Sequence, residues 1–385
     1  MSNYKVARSG DLVINKMKAW QGSLGLAPVD GIVSPAYFVF SADFAVPEFG
    51  EYLLRSKPYV AKFAAASDGV RIGQWDLDIA RMREIRVSLP AAEEQAAIVK
   101  YLAHANARID KVIAAKHRLI ALLTEQRRVE LGARLSRPET RTQDRWFPAV
   151  RDGWSVVSLG RVIERAVDGP HFSPTYSDAG VPFLSARNIR PGAWALDDVK
   201  YVSEDLAGEF DRRVRPEFGD VLYTKGGTTG VAKAVDIHDR FQVWVHVAVL
   251  KIRRTLVAPE FLELVLNSPA CYEQSQLETR GATNQDLGLG RMKRISIPLA
   301  PMKEQEAFVR EFEAASLQIE AAMQRAQRGI VLLREFRTRL VADVVTGQVD
   351  VRAVAATLPD TPGSVDARGQ EPDDDLEDVL GESED

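Results

Sequence analysis

Residues 81–131 of the 385-residue chain align without a gap to residues 291–341, at a fixed offset of 210. Arg81, Met82, Ile85, Leu89, Glu94, Gln95 and Ala97 recur as Arg291, Met292, Ile295, Leu299, Glu304, Gln305 and Ala307. Ile109, Ile120, Leu122, Leu123, Glu125 and Arg127 recur as Ile319, Ile330, Leu332, Leu333, Glu335 and Arg337. The window holds 16 identities in 51 positions, where average residue frequencies give roughly three by chance. Such a repeat constrains the fold before any local element is assigned. It is too long for a solenoid unit and reads as a duplicated module of domain plus helix.

Each copy begins with a short β pattern (85–89, 295–299) that runs into a proline-containing turn. A Glu-Gln pair then falls in a first helical turn, where a carboxylate suits the positive end of the helix dipole. A long amphipathic pattern follows in both copies. Its expected seams are Ile98, Leu102, Ala105, Ile109, Val112, Leu119 and Leu123, and Phe308, Phe312, Ala315, Ile319, Met323, Ala326, Ile330, Leu333 and Leu340. Steps of three and four over about five heptads predict two helices that pair as a coiled coil. Some forty helical residues span roughly 60 Å.

The net charge of −4 conceals an uneven distribution. Residues 360–385 carry 11 Asp and Glu against one Arg, which leaves 49 basic and 43 acidic side chains on the rest. The tail has no aromatic residue and is predicted to be disordered. A mildly basic body permits nucleic-acid binding without demanding it. The single cysteine, Cys271, has no disulfide partner within the chain, and a reducing cytoplasm is expected. No apolar run approaches the roughly 20 residues of a membrane span.

Along the chain, residues 1–90 read as a first, mostly β domain, 91–134 as a first long helix and 135–152 as a linker. A second β-rich domain is expected over 153–300, a second long helix over 301–346 and the acidic tail over 347–385. Within the second domain, residues 243–252 read as one buried strand, with His246 as a satisfied core residue. The fold class is therefore α+β, with the two long helices pairing antiparallel. Gly219-Asp-Val-Leu-Tyr-Thr-Lys225 mirrors Gly10-Asp-Leu-Val-Ile-Asn-Lys16 at an offset of 209. Upstream of that turn the second domain has about 65 residues and the first has nine. The first copy thus reads as partial, shortened at its amino end.

The ordered pieces resemble the specificity (S) subunit of type I restriction–modification systems. They are Gly-Asp-Leu-Val-Ile-Asn-Lys at 10–16, Trp-Gln-Gly at 20–22, Gly-Ile-Val-Ser-Pro at 31–35, Leu-Pro-x-x-x-Glu-Gln at 89–95, Ile-Asp at 109–110 and Gly-Trp-Ser-Val-Val-Ser-Leu-Gly at 153–160. The likeness covers about residues 1–350. It implies two target-recognition domains, each reading half of a split DNA sequence, and paired helices that act as a ruler and dock methyltransferase (M) subunits. Restriction (R) subunits would join the complex. S-adenosylmethionine, ATP and Mg would be used by those partners, with no cofactor bound by this chain. The residues agree that the chain carries no chemistry of its own. It has no Asn/Asp-Pro-Pro-aromatic tetrapeptide to hold a flipped adenine, no Gly-x-Gly-x-x-Gly and no Gly-x4-Gly-Lys-Ser/Thr. The five histidines lack metal-ligand spacing.

DNA contact needs paired donors and acceptors at base edges and Lys, Arg, Ser or Thr at phosphates. Thr224-Lys-Gly-Gly-Thr-Thr229 offers Thr224, Lys225, Thr228 and Thr229 on a glycine-rich loop, with an ordinary hairpin as the equal alternative. Arg187 and Asn188 read either as base readers or as braces of a turn. His171, Ser173, Tyr176 and the stretch Arg280–Gln285 are further candidates. In the first domain the corresponding candidates are Lys16, Lys18, Gln21 and Arg71, with Trp20 read as packing. Arg127, Arg128, Arg334 and Arg337 on the long helices would either meet methyltransferase subunits or solvate the coil. The competing reading is a non-catalytic coiled-coil scaffold that has lost DNA recognition.

Overall fold

A computed structural model describes residues 4–69, 75–281 and 285–362. The candidate Arg71, most of the acidic tail and positions 282–284 lie outside them. The chain divides into two compact units, residues 4–120 with 324–362 and residues 121–323. Among the described residues no helix is long and apolar enough to cross a membrane.

In the first unit the order is β1 (Lys5–Ala7), β2 (Leu12–Asn15), β3 (Leu24–Leu26), β4 (Gly31–Val33), β5 (Tyr37–Phe40), α1 (Pro47–Arg55), α2 (Lys57–Ala65), β6 (Ser67–Asp68), β7 (Asp76–Leu77) and α3 (Ile79–Arg83). The long α4 (Ala92–Leu135) follows and passes into the second unit. There the chain forms β8 (Thr140–Arg141), β9 (Ala149–Val150), β10 (Ser155–Ser158), α5 (Leu159–Val162), β11 (Ile163–Asp168), β12 (Val181–Leu184), β13 (Ile189–Arg190), β14 (Ala193–Trp194) and β15 (Lys200–Val202). It continues with α6 (Glu204–Asp211), β16 (Val221–Thr224), β17 (Ala232–Ala234), β18 (Gln242–Val243), β19 (Val247–Ile252), α7 (Pro259–Leu266), α8 (Pro269–Glu278), α9 (Leu289–Met292) and β20 (Ser296–Leu299). The long α10 (Met302–Val345) and the short α11 (Arg352–Thr357) close the described chain.

The duplication is visible as topology. In the second unit a four-stranded sheet runs β11-β19-β16-β17, and in the first a three-stranded sheet runs β3-β2-β5. With the sequence offset applied, β2 matches β16, β3 matches β17 and β5 matches β19, and register agrees: Ile14 faces Phe38 as Tyr223 faces Ala248. The strand is entered in both copies through a left-handed glycine, Gly10 at φ 88° and Gly219 at φ 82°, a backbone state that glycine adopts without strain.

The Glu-Gln pairs acquire a role that dipole reasoning missed. Gln95 is buried, accepts the backbone N–H of Val46, the N-cap of α1, at 3.2 Å and donates to the Pro90 carbonyl at 2.8 Å. Gln305 is buried likewise. It accepts from Ala258, the N-cap of α7, at 2.7 Å and donates to Leu256 and Ala300 carbonyls at 2.9 Å. A side-chain amide offers both a donor and an acceptor, so each glutamine latches the root of a long helix to the first helix of its domain.

α4 and α10 are antiparallel: Arg337 pairs with Asp110 in the first unit, and Arg127 with Glu320 at 3.2 Å in the second. On α10, burial at Gln305, Val309, Phe312, Ser316, Ile319, Ala326, Ile330 and Val344 keeps the three-four rhythm. On α4 the expected seam is corrected in the middle. Val112 and Leu119 are exposed, while Ile113 and Ile120 lie on the half-buried face. Apolar residues stand at both 112–113 and 119–120, and the sequence step alone does not choose between them. Two further stretches differ from expectation. Residues 135–152 are packed, with Phe147 and Val150 in the core of the second unit. The segment after α10 buries Val351 and Ala355, and Val351 joins the core of the first unit.

Candidate nucleic-acid interface

One end of the four-stranded sheet gathers the loops that the sequence singled out. β11 ends at Asp168, β16 ends at Thr224, and β19 starts at Val247 beside them. The connections 169–180, 225–231 and 244–246 all leave from this end. Arg280 and Asp286 are pinned there by bridges from Asp286 to Gly226 and to Arg280. The turn Ala186–Asn188 leaves β12 beside it, because the Trp244 amide donates to the Leu184 carbonyl at 2.8 Å.

A charge cluster holds these loops together. The Lys225 ammonium lies between Asp286 and Asp168, paired with the first and 3.4 Å from the second. Arg213 pairs with Asp168 and donates from Nε to its carbonyl at 2.8 Å. His171 Nε2 lies 3.2 Å from Asp168 and 3.3 Å from Arg213. Burial alone would push the Asp168 carboxyl up. Hydrogen bonds from Arg213 and His171, with the charge of Lys225, outweigh it and hold the group below the usual carboxylate range.

The expected strand 243–252 is broken: Trp244, Val245 and His246 form a turn between β18 and β19. His246 is therefore not a satisfied core residue. Among the described residues its Nδ1 has no hydrogen-bond partner, and the same holds for Trp244 Nε1, Thr228 Oγ1 and Thr229 Oγ1. Burial, then the nearby Lys225 charge, depresses the His246 pKa and favours the neutral ring. A Cβ at Gly226 would overlap the His246 ring, and one at Gly169 would overlap the Val243 carbonyl. The glycines allow the loops to close against the turn.

The sequence candidates fall into two groups. Thr224, Lys225, Thr229 and Asn188 are buried. Thr224 Oγ1 accepts from Val231 at 2.9 Å and donates to the Thr228 carbonyl. Asn188 accepts from Ser185 N–H at 2.8 Å and donates to Ala195 at 2.9 Å, so it braces its turn. The side chains of Thr224, Lys225 and Asn188 thus bond within the loops, as the hairpin and turn-bracing alternatives expect, while the buried Thr229 hydroxyl has no such bond among the described residues. Arg187 is half-exposed with one ion pair, to Asp198 at 3.6 Å, and Thr228 is partly exposed. Arg280 and Gln285 are exposed at the rim, as are Ser173 and Tyr176.

Sequence reasoning passed over Arg213 and Trp244. Their neighbours in sequence carry no motif, and only strand pairing brings them to this end. In the first unit Lys18 and Gln21 are exposed around a short turn, Trp20 stacks obliquely on Trp75 at 5.1 Å, and Lys16 stands over Phe38 at 4.9 Å. Among the described residues no cluster of His, Cys, Asp and Glu could hold a metal ion.

No family model matches the sequence, and no curated protein matches it. Solved structures do. The chain is similar to one described under "complex assembly and conformational transition of the type I R-M system", at 21% identity and TM-score 0.51, covering 91% of this chain and 85% of that one. It is also similar to the HsdS subunit from Thermoanaerobacter tengcongensis, at 22% identity and TM-score 0.38, covering 91% and 84%. A third is the type I restriction-modification S subunit from M. genitalium, at 13% identity and TM-score 0.39, covering 88% and 83%.

Proposed function

We propose that this chain, whose fold is that of a type I restriction–modification specificity subunit, reads DNA for such a complex and does no chemistry itself. The reading implies a bipartite target, with methyltransferase subunits docked on α4 and α10 and restriction subunits completing the assembly. One observation carries it: in the second unit, loops far apart in sequence converge on one sheet end with arginines, histidines, a tryptophan and hydroxyls together. That set matches what phosphate positioning and base-edge reading require. Arg187, Thr228, Arg213 and Arg280 are the groups assigned to DNA, together with Lys18 and Gln21 in the first unit. Lys225, Thr224 and Asn188 hold the loops in place.

The test is adenine-methylation mapping in cells that express the chain with its methyltransferase partner. A split, asymmetric motif is expected. Arg187→Ala should relax one position of it, at a cost of about 1–3 kcal/mol in discrimination. Absence of any complex with a methyltransferase subunit would instead favour the coiled-coil scaffold.

A further inference from the structure

The loop after β11 holds one aromatic ring out of the protein. In Gly169-Pro-His-Phe-Ser-Pro174 both prolines are buried, while His171, Phe172 and Ser173 between them are exposed. Each proline fixes its own φ and narrows the residue before it toward extended backbone. Gly169 lies so close to the Val243 carbonyl that a Cβ there would overlap it. The tip is therefore pinned at both ends, and its shape is set before anything binds.

Phe172 is 56% exposed, the most of any aromatic side chain among the described residues. It meets Phe210 at 5.7 Å between ring centres; Phe210 meets Phe183 at 5.7 Å, and Phe183 meets Tyr176 at 6.2 Å. The inner pair of this row is buried, and the outer rings, Phe172 and Tyr176, open to solvent. The end of α6 supplies both the seat of Phe172 and a cation beside it. Phe210 lies in its last turn, and the Arg213 N–H just beyond donates to the Phe210 carbonyl at 2.9 Å. The half-exposed Arg213 side chain reaches His171, the neighbour of Phe172, at 3.3 Å. Lys200 stands over the Tyr176 ring at 4.5 Å, and residues 169–175 contain no carboxylate.

Scattered surface phenylalanines are ordinary, but this one is seated on a buried ring, braced by two prolines and set beside cations. An apolar wedge flanked by positive charge suits duplex DNA, whose phosphates take the cations while the ring enters between base pairs. We propose that Phe172 is an unstacking wedge: with duplex DNA on the sheet end, its ring enters one base step while Arg213 holds a phosphate beside it. This rests on the DNA reading above and adds a distortion of the duplex to it. Pyrimidine–purine steps unstack most easily, so the wedge selects such a step without a hydrogen bond to its bases.

The test uses the chain in complex with its methyltransferase subunit and duplexes carrying the motif found by methylation mapping. 2-Aminopurine, which brightens when unstacked, replaces in turn each adenine in and beside the motif except the methylated ones. One position, at a pyrimidine–purine step, should brighten several-fold on binding. Phe172→Ala should abolish that rise and weaken binding about tenfold, within the range that base–aromatic stacking supports. Phe172→Leu keeps an apolar wedge and should restore much of both. The wedge is overturned if the complex binds the motif and no position brightens, or if the Phe172→Ala complex brightens the probe as the wild type does. It is equally overturned if Phe172→Ala releases the methyltransferase subunit, which would make the tip a protein contact. If the wild-type complex forms but binds no duplex, the DNA reading itself falls, and the wedge with it.

Discussion

Lys16 and Lys225 occupy one place in a duplicated frame, and their backbones are held alike. Lys16 N–H donates to Ala36 and its carbonyl accepts from Leu77, both at 2.9 Å. Lys225 N–H donates to His246 and its carbonyl accepts from Leu287, both at 2.8 Å. Their ammonium groups differ. Lys16 stands over the Phe38 ring, whereas Lys225 is buried between two carboxylates. One of these, Asp168, ends β11, a strand without a counterpart among the described residues of the first unit. Neighbouring positions differ in step: Gly226 and His246 in the second unit correspond to Met17 and Ala36 in the first. The duplication thus repeats a scaffold, while the chemistry at the sheet end depends on elements around it.

The sharpest way to break this comparison is to remove both lysines in turn. Lys225→Ala leaves buried Asp168 short of a cation and should destabilise the second unit by about 3–5 kcal/mol, as expected for one partner lost from a buried pair. Lys16→Ala loses only a cation–ring contact and should cost about 0.5–1 kcal/mol. Urea titration followed by hydrogen exchange reads the units separately. Equal costs would mean that Lys225 is not an internal brace.

The glutamine latches should differ less. Gln305→Ala strands one buried N–H and two carbonyls, for about 2–4 kcal/mol, and Gln95→Ala strands one of each, for about 1–3 kcal/mol. Exchange at the start of α7 and of α1, respectively, should rise in the matching variant alone. If the two variants cost the same, the third hydrogen bond of Gln305 contributes nothing to the ranking.

The paired difference at Gly226 and His246 gives a smaller, compensable effect. Gly226→Met should clash with the imidazole and cost about 1–3 kcal/mol. Adding His246→Ala recreates the Met17–Ala36 pair and should recover most of it, as coupled neighbours do. Thermal unfolding of the single and double variants measures the recovery, and simple additivity would reject the contact.

The repeat, the long helices and the strand around each Gly-Asp turn were legible because they rest on period and local propensity, which sequence carries directly. The Thr224–Thr229 loop was legible through its glycines. The role of Lys225 was not, since its two carboxylates lie 57 and 61 positions away and only strand pairing brings them near. Gln95 and Gln305 were visible as a motif but not as latches, because their partners are backbone groups with no sequence signature. Trp244–His246 was hidden by its β-rich flanks: an apolar run does not announce a turn. Arg213 gave no signal at all.

The smallest expected difference is in pH response. His246 is held neutral by burial and by the Lys225 charge, so its folded pKa lies below the ordinary 6.5. Above 6.5 the ring is neutral in both folded and unfolded chains, and its contribution to stability is fully present. As pH falls below 6.5 the unfolded chain binds the proton first, and stability drains away until the folded pKa is passed. Asp168, depressed from 3.8, adds a second loss only at much lower pH. The second unit should therefore weaken as pH falls below 6.5, and His246→Gln should flatten that slope. The first unit, with Ala36 at this position, should show no change on the same account. Exchange rates measured at matched intrinsic chemistry across this range would reveal it, and an unchanged slope in His246→Gln would assign the pH response to other groups.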